Sequence, residues 1–339
     1  MATLAEVART AGVSLATASR VLSGSGYRVR PELRRRVLAA ARSLNYVPNA
    51  HAQALVRART QVVGVVTHDV SDPYFAEIVR GVQRVASAAG RLAIICNTYR
   101  DPDREVEYVR LLHAQRVEAI VLAGSGRDDR RYGQKMSAAV EAYLATGGRL
   151  VVISRHHLPG DAVLPDNFGG ARALAHYLAD LGHRRVGVIS GPPKLTTTRD
   201  RMEGFRQGLR ERGLELPDDA VVPGDFGRDS GETGVAALLD RCPGLTAVFA
   251  LNDQMAVGAL AALRRRGIRV PEDVSLAGFD DMAIARDVTP QLTTVRVPME
   301  EMGMRAMEMA LEPAGEELRV VFLPAVVVPR GSTAPPREA

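Results

Sequence analysis

Arg201, in the run Thr197-Thr198-Arg199-Asp200-Arg201, belongs with Asp69, Tyr74, Phe75, Arg155, Phe226, Asn252, Asp253 and Asp280 to a set of side chains able to hold a polar ligand. A guanidinium presents a planar fork of N–H donors, carboxylates accept hydroxyl protons, and aromatic rings cover the apolar faces of a ring-shaped molecule. A polyhydroxylated ligand such as a sugar suits this set; a nucleobase between Tyr74 and Phe226 is the alternative. Asp72 and Asp166 each precede a helix-like stretch and suit helix caps.

Covalent or metal chemistry finds no comparable pattern. Gly124-Ser125-Gly126 follows a strand-like run, but Asp129 stands where a dinucleotide loop needs its third glycine, and no P-loop occurs. The seven His include no HExxH spacing, Cys96 and Cys242 form neither a metal knuckle nor a disulfide framework, and there is no G-x-S-x-G elbow. The expectation is a protein that binds, with no catalytic residue, metal or cofactor.

Short apolar runs must position these residues. Val62 to Thr67, Leu92 to Cys96, Glu118 to Leu122 and Leu150 to Ile153 alternate with helix-length segments, and a second series follows at Arg185 to Ser190, Val221 to Phe226, Ala247 to Leu251 and Val274 to Gly278. Apolar strands alternating with helices imply an α/β fold with parallel sheets covered on both faces, and ligands bind such sheets beyond the carboxyl ends of the strands. About 280 residues of this pattern exceed one comfortable core, so two lobes are expected. Leu292 to Val297, a helix over Met299 to Leu311 and a strand over Arg319 to Val328 read as crossovers that complete them.

The first forty-four residues follow a different rule. Leu4, Val7, Ala8 and Ala11 form one helix face, Gly12 breaks the pattern, and Ser14 caps a second amphipathic stretch containing Thr17, Ala18, Val21 and Leu22. A third helix starts near Pro31, with Leu33, Val37, Ala40, Ala41 and Leu44 facing inward. Helix, tight turn, helix is the geometry that lays a second helix in the major groove of DNA. Charge agrees: residues 1–60 carry ten Arg against Glu6 and Glu32, or +8, while the whole chain is +5 and the remainder therefore −3. A basic module on a slightly acidic body is the footprint of phosphate binding.

Thr3-Leu4-Ala5-Glu6-Val7-Ala8, Ala11-Gly12-Val13-Ser14-Leu15-Ala16-Thr17-Ala18-Ser19-Arg20-Val21-Leu22 and Leu44-Asn45-Tyr46-Val47-Pro48-Asn49 resemble the DNA-binding head of the LacI/GalR family of bacterial transcription regulators. Gly278-Phe279-Asp280-Asp281, Thr289 to Val295 and Arg330-Gly331-Ser332-Thr333 extend the resemblance along nearly the whole chain. It implies a three-helix helix-turn-helix head over 1–47, a hinge helix or linker over 48–60, and a two-lobed periplasmic-binding-protein-like core over 61–339. The first lobe would hold about 61–162 and 293–323, the second about 163–292 and 324–339, joined by three strands.

Carried onto this sequence, the resemblance places Leu15, Ala16 and Arg20 against base edges, with Thr3, Ser14, Thr17, Ser19, Asn45 and Tyr46 around them. Arg20 can make a bidentate contact with guanine, whereas Leu15 and Ala16 offer apolar contact only. Asn49, Ala52 and Leu55 lie in the linker, a segment too short to be a stable helix alone; the resemblance makes Leu55 a wedge in the minor groove. Ala18 stands where a larger Val is common, and Arg30 where a Ser or Thr cap is frequent. The cleft residues named at the outset fall on the family's effector positions.

No apolar stretch approaches the length of a membrane span, no signal-peptide pattern opens the chain, and two unpaired Cys fit a reducing compartment. The expectations are a cytoplasmic regulator, most simply a repressor, a palindromic double-stranded DNA operator, a small sugar-like effector and a homodimer, since one recognition helix reads only a few base pairs. The carboxyl terminus carries no Leu heptad of the kind that builds a tetramer.

Overall fold

The computed structural model describes residues 2–22, 29–47, 60–313, 315 and 317–337. The linker expectation, with Asn49, Ala52 and Leu55, lies outside the described residues. Contacts divide the chain into two compact units: Met1–Gln61 with Ala114–Glu118, and Val62–His113 with Ala119–Ala339.

The first unit contains three helices, α1 (Leu4–Ala11), α2 (Leu15–Leu22) and α3 (Pro31–Ser43). Thr3 caps α1 reciprocally: its hydroxyl accepts from the Glu6 amide at 3.2 Å, and the Glu6 carboxylate accepts from the Thr3 amide at 2.7 Å. Gly12 ends α1 in the left-handed region at φ 60°, where a side chain would be strained. The Ser14 hydroxyl accepts from the Thr17 amide at 3.2 Å, as a cap should. Pro31 opens α3, where its missing N–H costs nothing. The core is Val7, Ala8, Ala11, Ala18, Val37, Ala40 and Ala41, mostly alanine, so the helices approach closely and few large side chains are buried.

The second unit has two lobes. The first is built on a parallel six-stranded sheet of order β11-β5-β4-β3-β1-β2, with β1 (Val62–Thr67), β2 (Leu92–Asn97), β3 (Ala119–Ala123), β4 (Arg149–Ile153), β5 (Asp161–Pro165) and β11 (Val320–Leu323). Its helices are α4 (Pro73–Ala88), α5 (Pro102–Ala114), α6 (Arg130–Ala145) and α12 (Met299–Leu311). The second lobe has a parallel four-stranded sheet, β7-β6-β8-β9, of β6 (Val186–Ile189), β7 (Val221–Val222), β8 (Ala247–Ala250) and β9 (Ser275–Ala277). Around it lie α7 (Asn167–Asp180), α8 (Thr196–Arg210), α9 (Arg228–Arg241), α10 (Asp253–Arg265) and the short α11 (Ile284–Asp287). β10 (Thr294–Arg296) and β12 (Val326–Val328) pair antiparallel.

The strands are buried runs of Val, Ile, Leu and Ala, as parallel sheets covered on both faces require. Where α4 crosses α12, a Cβ on Gly81 would lie 2.0 Å from the Glu300 carbonyl, and one on Gly303 would lie 2.0 Å from that of Ile78. Only glycine permits this approach, which returns α12 to the first lobe after the chain has built the second.

Four boundaries differ from the sequence expectation. β7 stops at Val222 because Pro223 has no N–H for the ladder. The run Arg319 to Val328 is two strands, broken at Pro324-Ala325 where the chain passes between lobes. Asp161–Pro165, preceded by Pro159-Gly160 and ended by Pro, is a strand with no separate expectation, and it carries the first sheet past residue 162. Residues 293–296 lie beside β9, through bridges Ala277 to Thr293 and Asp280 to Arg296, so the return to the first lobe begins near Met299. The chain still crosses between lobes three times: after β5, after β10 and after β11.

Candidate functional site

The carboxyl ends of the strands converge on one cleft between the lobes. Six of the eight non-glycine residues with positive φ among the described residues occur there: Tyr99 and Arg100 after β2, Ser154 after β4, Phe226 after β7, and Asp280 and Asp281 after β9. Such backbone costs free energy and persists where the surroundings enforce it, often at binding sites.

A cavity of about 50 Å³ occupies the cleft, and its lining includes Tyr74, Phe75, Arg201, Phe226, Asn252 and Asp280, all expected from sequence. Arg201 is 2% exposed. It donates to Asn167 Oδ1 at 2.9 Å, to the Leu251 carbonyl and to Asp280 Oδ1 at 2.7 Å, and its guanidinium lies 3.8 Å from the centre of the Phe279 ring. Burial raises the Asp280 carboxyl to about 6 despite this partner. Asn252 caps α10 by accepting from the Met255 amide at 3.0 Å, and its side-chain amide donates to the Phe226 carbonyl at 2.9 Å. Burial pushes the Tyr74 hydroxyl upward, so it remains protonated and can donate.

Other expected residues fall elsewhere. Asp253 is fully buried away from the cavity lining: its carboxyl accepts from the Met282 amide at 2.8 Å and the Thr294 hydroxyl at 2.6 Å. Burial first, then the neighbouring Asp280 charge, raise it well above the usual carboxylate range. Its place immediately after a strand resembles that of a binding residue, but the first turn of α10 points it inward. Arg155 pairs with Asp200 across the cleft and is absent from the cavity lining. Asp69 accepts from the Ser71 amide at 2.9 Å and faces a second chamber of the cleft. Asp72 both caps α4, accepting from the Tyr74 amide at 3.0 Å, and lines the cavity; Asp166 caps α7 alone.

The sequence set omits His68, Arg100, Ser125 and Thr197, which the fold brings into the lining. Burial, aided by the Arg100 charge, drops His68 to about 3, so a neutral ring accepts from Arg100 Nε at 2.7 Å. Ser125 donates to the Thr197 hydroxyl at 2.7 Å between lobes. The strand-end rule that selected Tyr74 and Phe226 applies equally to Ser125, which follows β3.

The lobes are clasped beside the cavity. Asp128 donates its amide to the Lys194 carbonyl at 2.8 Å, Thr196 donates to Gly126 at 3.0 Å, and Arg199–Asp128 and Lys194–Asp129 pair across the gap. Among the described residues no group of three or more His, Cys, Asp or Glu could hold a metal ion, and no helix is long and apolar enough to cross a membrane.

In the head, Leu15, Ala16 and Arg20 are exposed on α2, and Leu15 at 54% is not packed into the protein. Thr3, Ser14 and Asn45 are also exposed, while Thr17 and Ser19 are half-buried and Tyr46 packs partly against the head core.

Residues 3–49 match the family described as bacterial regulatory proteins, lacI family, and residues 175–333 match the periplasmic binding protein-like domain. The chain is 38% identical to the HTH-type transcriptional regulator GalS of Salmonella typhimurium over 334 residues, covering 96% of this chain and 95% of that one. Two solved structures are similar: a transcriptional regulator CelR–cellobiose complex (33% identity, TM-score 0.71, 98% and 100% of the two chains) and the lac repressor dimer bound to operator and the anti-inducer ONPF (26%, TM-score 0.85, 98% and 99%). A helix-turn-helix head, a two-lobed core with a polar cleft and identity along nearly the full length have one meaning: this chain belongs to the LacI/GalR family of transcriptional regulators.

Proposed function

We propose that the protein is a repressor that binds a palindromic double-stranded DNA operator as a homodimer and is controlled by a sugar or sugar derivative held between its lobes. The observation that carries the effector class is the composition of the cavity wall. Carboxylate and amide oxygens (Asp72, Asp280, Asn252) and hydroxyls (Ser125, Thr197) stand among the aromatic rings of Tyr74, Phe75 and Phe226. That combination matches a ring with polar edges and apolar faces.

On the head, exposed Leu15, Ala16 and Arg20 would read base edges, supported by Thr3, Ser14, Thr17, Ser19, Asn45 and Tyr46, with Asn49, Ala52 and Leu55 completing the set. Support for a second copy comes from β2, an edge strand whose Leu92 and Ile94 are 64% and 39% exposed. An unprotected apolar edge of this kind is ordinarily covered by another chain. An effector that favours one lobe arrangement would alter the spacing of the two heads, and linkage requires operator to change effector affinity by the same factor.

The test pairs a thermal-shift screen of the full chain with operator titrations, using neutral sugars, sugar acids and nucleobases. A sugar that raises the melting temperature and weakens operator binding is the expected result. A nucleobase that stabilises the protein and tightens operator binding would instead make it a purine-type corepressor system. Stabilisation by none of these classes would overturn the effector assignment.

A further inference from the structure

The six-stranded sheet of the first lobe ends in β2 on one side and β11 on the other, and β11 has β5 as its one neighbour among the described residues. Leu318, Val320 and Phe322, at every second position along this edge, are 61%, 49% and 73% exposed. A row of large apolar side chains on a water-facing edge strand marks an interaction surface.

The strand register accounts for the exposure. Side chains alternate between the two faces of a sheet, and the ladder aligns Val320 with Ala162, Val152 and Leu122 in turn. Along that row Leu122 and Val152 are buried, Ala162 is half-buried and Val320 is exposed. The helices on this face pack near its other side: Leu112 of α5 fills the space before Gly64 in β1, and α6 lies on β4. Their cover runs out toward β11. The opposite face belongs to α12, and there Leu323 is buried and Arg319 donates to the Met309 carbonyl at 2.8 Å.

The backbone of this edge is open as well. Arg319 and Leu323 give their carbonyls to the Ala162 and Asp166 amides, both at 2.9 Å. Alternate residues of a parallel strand serve one neighbour, so the N–H and C=O groups of Val320 and Phe322 point away from β5. Edge strands are ordinarily protected by Lys, Pro or a bulge. Val320–Leu323 contains none of these, and the adjacent charge, Arg319, is engaged with Asp161 and Glu312. The β2 edge, which supports the homodimer, lies roughly 24 Å away at about 4.8 Å per strand, so the two edges serve separate contacts.

We propose that β11 is a self-association surface, pairing antiparallel with β11 of a second copy about a two-fold axis through Val321. In that register Val320 and Phe322 exchange backbone hydrogen bonds with Phe322 and Val320 of the partner subunit, so every group the edge leaves open finds a partner and the two sheets become one. Each valine then lies beside a phenylalanine, a β-branched and aromatic pair of the kind that stabilises sheets. The same register sets Arg319 opposite Leu323 and Glu317 opposite Ala325, so no like charges meet. This self-complementarity in hydrogen bonding and charge selects a second copy as the occupant. With the homodimer proposed above, on which only the count of chains rests, the contact joins two pairs into four chains. An edge of four residues offers less than the roughly 1,200–2,000 Å² of a standard interface, so the association is reversible and grows with concentration.

Sedimentation velocity of the full-length protein over a concentration series is the test. The wild type should pass from two chains to four as concentration rises. Phe322→Lys and Val320→Glu, both at exposed positions, should each lose the larger species while thermal melts and operator affinity stay at wild-type values. An equimolar mixture of the two variants should regain it, because the register sets the introduced lysine opposite the introduced glutamate and leaves an unaltered valine–phenylalanine pair across the axis. A wild type that stays at two chains throughout, single variants that still associate, or a mixture that fails to recover would overturn the pairing. A wild type that rises only from one chain to two, with Phe322→Lys fixed at one, would leave the β11 pairing standing and remove the separate homodimer instead.

Discussion

The head and the cleft solve the problem of carrying functional side chains in opposite ways. On α2 the side chains proposed to read DNA, Leu15, Ala16 and Arg20, are exposed, while a set of small apolar residues holds the three helices together. In the cleft the same groups serve both purposes. Arg201 and Asp280 form a pair with side chains only 3% and 4% exposed, and Asn252 caps a helix while reaching to Phe226. On the head the exposed Leu15 and Ala16 can therefore be altered with little effect on stability, although Thr3 and Ser14 also cap helices; in the cleft the two are coupled throughout, because a charge removed there leaves its partner buried and unpaired.

The sharpest way to break this comparison is Arg201→Ala. It should destabilise the core by about 3–5 kcal/mol in denaturant titrations, since Asp280 is left as an uncompensated buried charge. The double change Arg201→Met, Asp280→Leu should recover much of that loss while leaving the effector unbound. Near-wild-type stability in the single variant would mean that the pair contributes nothing to the fold.

Arg20→Ala should act on DNA binding. Specific operator binding should weaken by about 1–3 kcal/mol with relaxed preference at one base pair per half-site. Titrations on single-base operator variants decide it; an unchanged base preference would remove Arg20 from direct readout.

A smaller effect sharpens the claim that the head has its own local determinants. Thr3→Ala loses the capping pair with Glu6 and should cost the head about 1 kcal/mol, read as faster amide exchange over α1 and unchanged exchange in the core.

The smallest effect concerns a half-buried glutamate of the first lobe. Glu105, at the start of α5, is hydrogen-bonded to the Tyr132 hydroxyl at 3.0 Å, and burial raises it from 4.5 to about 7. Its folded value lies above its unfolded one, so the folded state holds the extra proton and stability falls as pH rises from about 4.5 through 7. Glu105→Gln keeps a partner for Tyr132 without the charge. It should melt about 2–4 °C higher than wild type at pH 8, the shift expected for each kcal/mol in a domain of this size. The gap should close as pH approaches 4.5. A constant gap across this range would show that Glu105 does not titrate there.

Hydrophobic periodicity alone located most of the architecture. The helix faces of the head, the strands that became β1, β4 and β8, and the helix Met299–Leu311 are local patterns, since a buried face must repeat every 3.6 residues in a helix and parallel strands read as continuous apolar runs. The charge step at residue 60 and the Ser14 cap are local too. Strand-end positions likewise selected Tyr74, Phe226, Asn252 and Asp280, because a parallel sheet places its ligands there whatever the sequence between, whereas Arg201, inside a helix, came from the family resemblance.

Tertiary structure decided the rest. Whether a residue after a strand faces the cleft or the core depends on the helix packed behind it, which is why Asn252 lines the cavity and Asp253 is sealed against Thr294 and Met282. Arg155 and Asp200 are 45 residues apart in sequence, and only the approach of the lobes makes them an interlobe pair rather than ligand contacts. Arg100 gave no signal as a single arginine after a strand; its role arises from His68, Asp225 and Phe226, three positions on two lobes that no local pattern connects. Periodicity reports which face of an element is buried. Which partners meet across a cleft is set by the long-range closure of the chain, and the amino-acid spacing carries no trace of it.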